Sequence, residues 1–284
     1  MPRKAFFWTV LSHGWLIFFI AAAQAAHSTR DHRRFRVVLD PGHGGSDLGA
    51  TYKLGNKTIT EKEITLKLAQ EAAIHLRLRG IETILTRARD EDVPLGNRTA
   101  LANRLKADLF ISIHMNSIEV HRSNPQAEGV ETYFLNTTSD ASSRRLARLE
   151  NTVLGGTTFD TPQQLDVALI LKDLRLDANL RESKRLACAT QSLIAHSTAK
   201  YSKLPPSARN RGVKQALFHV LLGADMPSIL VEAGFITSPI DRSIVLSSVG
   251  IAQIGNSLAR AVEHYRKTKG TPAALISLNT CKVH

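Results

Sequence analysis

Four side chains in this sequence sit where chemistry could be done: His43, His114, Glu232 and Glu61. His43 follows the apolar run Val37-Val38-Leu39 and Asp40-Pro41, and lies between Gly42 and Gly44-Gly45. His114 closes "LFISIH", Glu232 closes "SILVE", and Glu61 opens "EKEITLKLAQEAAIHLRLRG". Two imidazoles and one carboxylate make a hydrolytic zinc set, whose fourth position is kept for water. Water on such an ion ionises near pH 7 instead of about 15.7. A further carboxylate, not itself a ligand, can take that proton and pass it to a leaving group.

The residues themselves leave one choice open. Thr60 and Glu63 have capping-box spacing, which gives Glu63 a local task. Glu61 has none, but an acid at a helix start also serves the helix dipole, so spacing does not decide between them. Of the other histidines, His75 falls within the helix, His219 in the middle of an expected strand, and His121, His196 and His264 on polar stretches. A glycine loop between strand and helix can cradle phosphate, but neither G-x-G-x-x-G nor the P-loop pattern occurs. "STAK", Ser197 to Lys200, matches the S-x-x-K of serine acyl-enzymes, a short pattern that no plain K-T-G follows. Cys188 and Cys281 are the only cysteines, so a metal falls to His, Asp and Glu; whether the two pair stays open.

The elements that must position these groups alternate along the chain. Strands are expected at 36–40, 81–87, 107–114 and 129–136, with helices at 61–79 and 93–106 between them. Gly80 is placed to stop the first helix. Two helical stretches rich in arginine and lysine fill about 138–205, with a loop at 205–212. Strands at 213–221 and 227–232 and two closing helices follow. This order predicts an α/β fold: an open, twisted, mainly parallel sheet with helices on both faces. Functional groups then gather at the carboxyl ends of the strands, where His43, His114 and Glu232 fall.

The chain of 284 residues can bury a substantial core. Arg3 and Lys4, the apolar stretch from Ala5 to about Ile20 and Ala23-Gln24-Ala25 have the form of a signal peptide, residues 1–25. No other stretch is apolar enough to span a membrane, so export to the periplasm or cell envelope is expected. The net charge is +12, or +10 without Arg3 and Lys4 (12 − 2). A basic exported chain suits an anionic envelope, and export argues against nucleic acid as the partner.

The blocks "VVLDPGHGGSDLGA", "EKEITLKLA", "ILTRARDEDVPLGNRTALAN", "ADLFISIHMNS", "GVETYFL", "NRGVK" and "MPSILVEAGFITS" occur in this order over roughly 36–266. Together they resemble the zinc-dependent N-acetylmuramoyl-L-alanine amidases, peptidoglycan hydrolases of daughter-cell separation. The resemblance implies a catalytic domain over 35–267 with a helical regulatory insertion at about 138–205, and a tail at 268–284. It implies one Zn2+ per chain on His43, Glu61 and His114, with Glu232 as catalytic base. The substrate would be the amide between N-acetylmuramic acid and L-alanine. The insertion is similar to a helix that covers the zinc cleft until an activator protein removes it, with Glu150 as the glutamate facing the metal. Two alternatives stand beside this reading: a catalytically silent wall-binding module, and a serine-type carboxypeptidase using Ser197 and Lys200.

Overall fold

The structure is a computed structural model that describes residues 34–118, 127–152, 175–203, 205–271, 281 and 283. The segment 1–25 read as a signal peptide lies outside the described residues, as does His121. Among the described residues eight strands occur: β1 (Arg36–Pro41), β2 (Thr51–Leu54), β3 (Lys57–Thr60), β4 (Glu82–Leu85), β5 (Leu109–Asn116), β6 (Val130–Leu135), β7 (Asn210–Ala216) and β8 (Ser228–Phe235). The helices among the described residues are α1 (Glu61–Arg77), α2 (Leu95–Arg104), α3 (Ala141–Asn151), α4 (Arg175–Thr198), α5 (Pro206–Arg209), α6 (His219–Leu222), α7 (Pro239–Val245) and α8 (Ser248–Thr268).

Six strands form one sheet in the order β4-β1-β5-β8-β6-β7. All neighbours are parallel except β6 and β8, so β6 and β7 run against the rest. The expected open, mainly parallel α/β sheet is therefore present. Side chains alternate across it with period two. Val37, Leu39, Ile111, Ile113 and Val231 join the core packed by α1, α4 and α8. Val38, Phe110, Leu230, Tyr133 and Leu135 face α2, α3 and α6. Helices thus cover both faces.

On the α2/α3 face the apolar alternation gives way toward the carboxyl edge. Two residues beyond Val38 stands Asp40; beyond Phe110 stand Ser112 and His114; beyond Leu230 stands Glu232. His114 is the register partner of Glu232, and Glu232 of Glu131 on β6. One row across three strands is thereby polar and buried, with His114 5%, Glu232 0% and Glu131 2% exposed. Buried polar groups in that position need partners or a ligand.

Several local expectations change. Thr60 makes no side-chain cap bond, so the capping box with Glu63 does not form. Thr60 instead ends β3, which pairs with β2 in a hairpin that the glycine-rich sequence hid. The first helical N–H groups find loop carbonyls: Glu61 N donates to Ala50 O at 2.9 Å and Lys62 N to Leu48 O at 3.3 Å. Glu61 then points inward, at 1% exposure, while Glu63 is exposed. The strand expected over 213–221 stops at Ala216, and His219 opens α6. β5 and β8 each run past their site residue, to Asn116 and Phe235. The 205–212 loop holds the short α5 and the start of β7. The tail expected at 268–284 is tied back at two points: Cys281 is bonded to Cys188 on α4, and Val283 bridges Val213.

Candidate metal centre

Asp40-Pro41 ends β1, and the next turn is fixed from beneath by two buried arginines. Arg98 on α2 donates from Nη1 to Asp40 Oδ1 and Pro41 O, both at 2.8 Å, and from Nη2 to His43 O at 3.0 Å. Arg87 donates to Pro41 O at 3.1 Å and to Gly42 O at 2.8 Å. Asp40 also accepts from Thr86 Oγ1 at 2.6 Å and Ser112 Oγ at 2.7 Å. Burial opposes its charge, but Arg98 and these hydrogen bonds hold the carboxyl below its usual range. The clamp holds His43 at φ 62, a left-handed conformation that costs a non-glycine residue energy. Glycine is required beside it: a Cβ on Gly42 would come within 2.4 Å of His114 Cε1.

The ring of His43 is then set from both sides. Asp47 Oδ2 lies 2.7 Å from Nδ1, which leaves Nε2 to face the cleft. There Nε2 lies 3.0 Å from Glu61 Oε1 and 3.3 Å from Glu150 Oε2. His114 Nδ1 lies 3.1 Å from Glu61 Oε1 and 3.0 Å from Glu150 Oε2. Glu61 is fixed in turn by Ala50 N on Oε2 and Met115 N on Oε1, both at 2.8 Å. One ligand atom from each of His43, Glu61, His114 and Glu150 falls within 4.8 Å of all the others. The buried His43 Nε2 has no hydrogen-bond partner although two carboxylate oxygens are close. An unbonded imidazole nitrogen aimed at anionic oxygens fits a divalent cation, and N/O donors in this mix suit zinc-type ions.

Charge within this cage is strongly coupled. Burial opposes a proton on His114, but Glu150, with a further bond to Glu61, pushes it up to about 10. His43 is raised well above its ordinary value by Glu61 and Glu150 against the same penalty. Glu61 resists its burial and is held down to about 2, chiefly by His43. Glu232 behaves in the opposite way. Burial, with the charges of Glu150, Glu61 and Glu131, raises it well above the carboxylic range despite His114. Both of its oxygens are buried without a hydrogen-bond partner. A carboxyl group kept basic next to a cation cage is suited to carrying a proton.

All five site residues named from the sequence are placed: four in the cage, and Glu232 in the adjoining strand register. The residues that sequence reasoning missed are Asp47, Arg98, Arg87 and Glu131. Only Asp47 carried a local signal, an acid four residues after His43. The S-x-x-K pair is not assembled. Ser197 Oγ bonds Ile194 O at 3.0 Å, and Lys200 Nζ sits over the Tyr201 ring at 5.2 Å. Both lie at the end of α4, on the face opposite the cage. His219 is half-buried in α6, and its N–H donates to Asn151 on α3 at 2.7 Å.

Comparison with known proteins agrees with this geometry. Residues 37–264 match the family model described as N-acetylmuramoyl-L-alanine amidase. The chain is 33% identical over 243 residues to the amidase AmiC of Neisseria meningitidis serogroup B, covering 84% of this chain and 54% of that protein. It is 34% identical over 234 residues to AmiA of Escherichia coli K12, covering 81% of this chain and 75% of the relative. The crystal structure of an N-acetylmuramoyl-L-alanine amidase from Clostridium difficile 630 superposes with a TM-score of 0.59 at 28% identity, covering 84% and 99% of the two chains. The chain thus spans about half the length of the Neisseria relative and three quarters of the E. coli one. With a buried donor cage at the carboxyl edge of its sheet, this chain belongs to the N-acetylmuramoyl-L-alanine amidase family, which hydrolyses the amide between N-acetylmuramic acid and L-alanine in peptidoglycan.

Proposed function

We propose that this chain is a zinc amidase held in check by its own helix α3. The observation that carries the reading is the cage of His43, Glu61, His114 and Glu150, with buried, unpartnered Glu232 beside it. His43 through Nε2, His114 through Nδ1 and Glu61 would hold the ion. A zinc ion bound there would polarise the substrate carbonyl and acidify water. Asp47 keeps the His43 proton on Nδ1, and the Arg98 clamp holds the turn. Glu232 takes the proton of the attacking water and delivers it to the departing amine nitrogen. Burial raises its proton affinity, so it can hold the proton taken from water until the amine nitrogen receives it.

Glu150 occupies the cage from α3 and leaves the open position closed to substrate. Asn151 next to it anchors the helix end, donating to Leu217 O at 2.8 Å. Release of α3 by an activator protein would open the site. Export to the periplasm or envelope is supported by the Cys188–Cys281 disulfide, a bond of oxidising compartments. No helix among the described residues is long and apolar enough to cross a membrane.

The test is mass spectrometry of muropeptides after digestion of sacculi by the chain and by Glu232→Ala, with and without chelator. Cleavage at the lactyl–alanine amide, lost with Glu232 and with the metal, is expected. Cleavage at another bond, or activity that survives the chelator, overturns the reading.

A further inference from the structure

Beyond Glu232 the polar row continues into a group with no part in the mechanism above. Glu131 on β6 is the register partner of Glu232 and faces the same side of the sheet. Arg211 Nε donates to Glu131 Oε1 at 2.7 Å and Lys214 Nζ to the same oxygen at 2.8 Å. Asn116 Nδ2 and Tyr133 OH take Oε2, at 3.0 and 2.7 Å. One carboxylate is thus bonded by two cations, which leaves one positive charge beyond what neutralises it. The Arg211 side chain is 35% exposed, and its guanidinium carbon lies 5.0 Å from the centre of the Phe235 ring. Among the described residues, its two Nη atoms have no hydrogen-bond partner. A guanidinium fixed through Nε, stacked on a ring, with its Nη fork free, is preset for two-point capture of a carboxylate.

The topology puts this fork in the cleft. β7 runs against β8, so Arg211, near the start of β7, lies at the edge where β5 and β8 end. Adjacent strands are about 4.8 Å apart, so β7 stands about 10 Å from β8, within reach of a few peptide residues. Helix α3 also packs on β7.

We propose that Arg211, with Lys214 beside it, forms an anion subsite that receives a carboxylate of an acidic peptide on the amine side of the scissile bond. The proposal rests on the amidase reading for the orientation of the peptide, and the experiment separates the two.

The zinc-loaded full chain carrying Glu150→Ala is given two muramoyl peptides. They differ only in whether the residue after L-alanine bears a free carboxylate or its amide. Binding is followed by calorimetry and turnover by product release. The acidic form should bind at least about tenfold more tightly, the scale of a charge-assisted hydrogen-bonded pair. Arg211→Gln should abolish the preference and raise KM for the acidic form alone. kcat on the amidated form should be unchanged, since Glu131 keeps its bonds from Lys214, Asn116 and Tyr133. Arg211→Lys should restore part of the preference, and Lys214→Met should reduce it. Equal binding of the two peptides by the parent chain overturns the subsite. So does an equal loss for both peptides in Arg211→Gln, which would mark a merely structural role. A preference for the acidic peptide with neither amide cut overturns the amidase reading and leaves the subsite standing.

Discussion

Helices α3 and α4 come from one basic stretch of sequence, yet they are attached to the protein in different ways. α4 buries Leu186, Ala187 and Ile194 at 0% exposure between the sheet and α8. Its Gln191 donates to Val130 O at 2.7 Å, and Cys188 ties it to Cys281. α3 buries less completely: Leu146 is 8% and Ala147 5% exposed, while Leu149 is 51% exposed. Arg144, Arg145 and Arg148 are exposed on its outer face. Polar contacts add to this thinner packing: Asp140 at its cap, Asn151 at its end and Glu150 in the cage. The insertion expected over about 138–205 therefore holds two unlike helices, one thinly packed with polar contacts at its ends and one held by apolar burial. Removing all of it would remove part of the core.

The largest effect should separate the cage from both helices. Glu232→Gln keeps the shape but loses the proton carrier, and hydrolysis of sacculi should fall about 10²–10⁴-fold with the melting temperature unchanged or raised. A loss of less than about tenfold would mean that another group carries the proton. Next in size, Ile194→Ala on α4 should cost about 2–5 kcal/mol of stability. Leu146→Ala on α3 should cost less than Ile194→Ala, because its site is less enclosed, while raising basal activity. Equal costs measured by denaturant unfolding would erase the distinction between the helices. Reducing the Cys188–Cys281 bond should destabilise the chain by about 2–4 kcal/mol and leave the metal content unchanged.

The smallest effect concerns acid. Hydrogen bonds from the Ser142 and Ser143 hydroxyls and from Ser143 N–H hold Asp140 below the usual carboxylate range. A depressed folded value means that its contribution is present above the unfolded value of about 3.9 and is lost as pH falls below it. A cap of this kind is worth about 1 kcal/mol. Limited proteolysis should therefore open α3 below about pH 4 while α4 stays protected. Cleavage of both helices together would contradict the comparison.

The sequence made the sheet and its catalytic edge legible because period-two runs end at His114 and near Glu232, and because glycines flank His43. It could not pick Glu61 over Glu63. That choice depends on a hairpin whose loop carbonyls, not Thr60, satisfy the start of α1. Arg98 and Arg87 were illegible for a related reason. Apart from Asp40, on which Arg98 also closes, most of their partners are main-chain oxygens such as those of Pro41, Gly42 and His43, 45 to 57 residues away, and a carbonyl leaves no mark in side-chain spacing. Glu131 looked like one more strand residue until the register set it opposite Glu232. The split between α3 and α4 was equally hidden, since both are helical and basic, and only packing tells a lid from a core helix.

The central claim is that Glu150 closes a cage that works without it. The most direct measurement compares the chain with Glu150→Ala, both zinc-loaded, for metal content and for the initial rate of muropeptide release from sacculi. Metal content should be unchanged and the rate at least about tenfold higher, since each factor of ten is about 1.4 kcal/mol of closure. A lower rate with metal lost would make Glu150 a working ligand and would contradict the account.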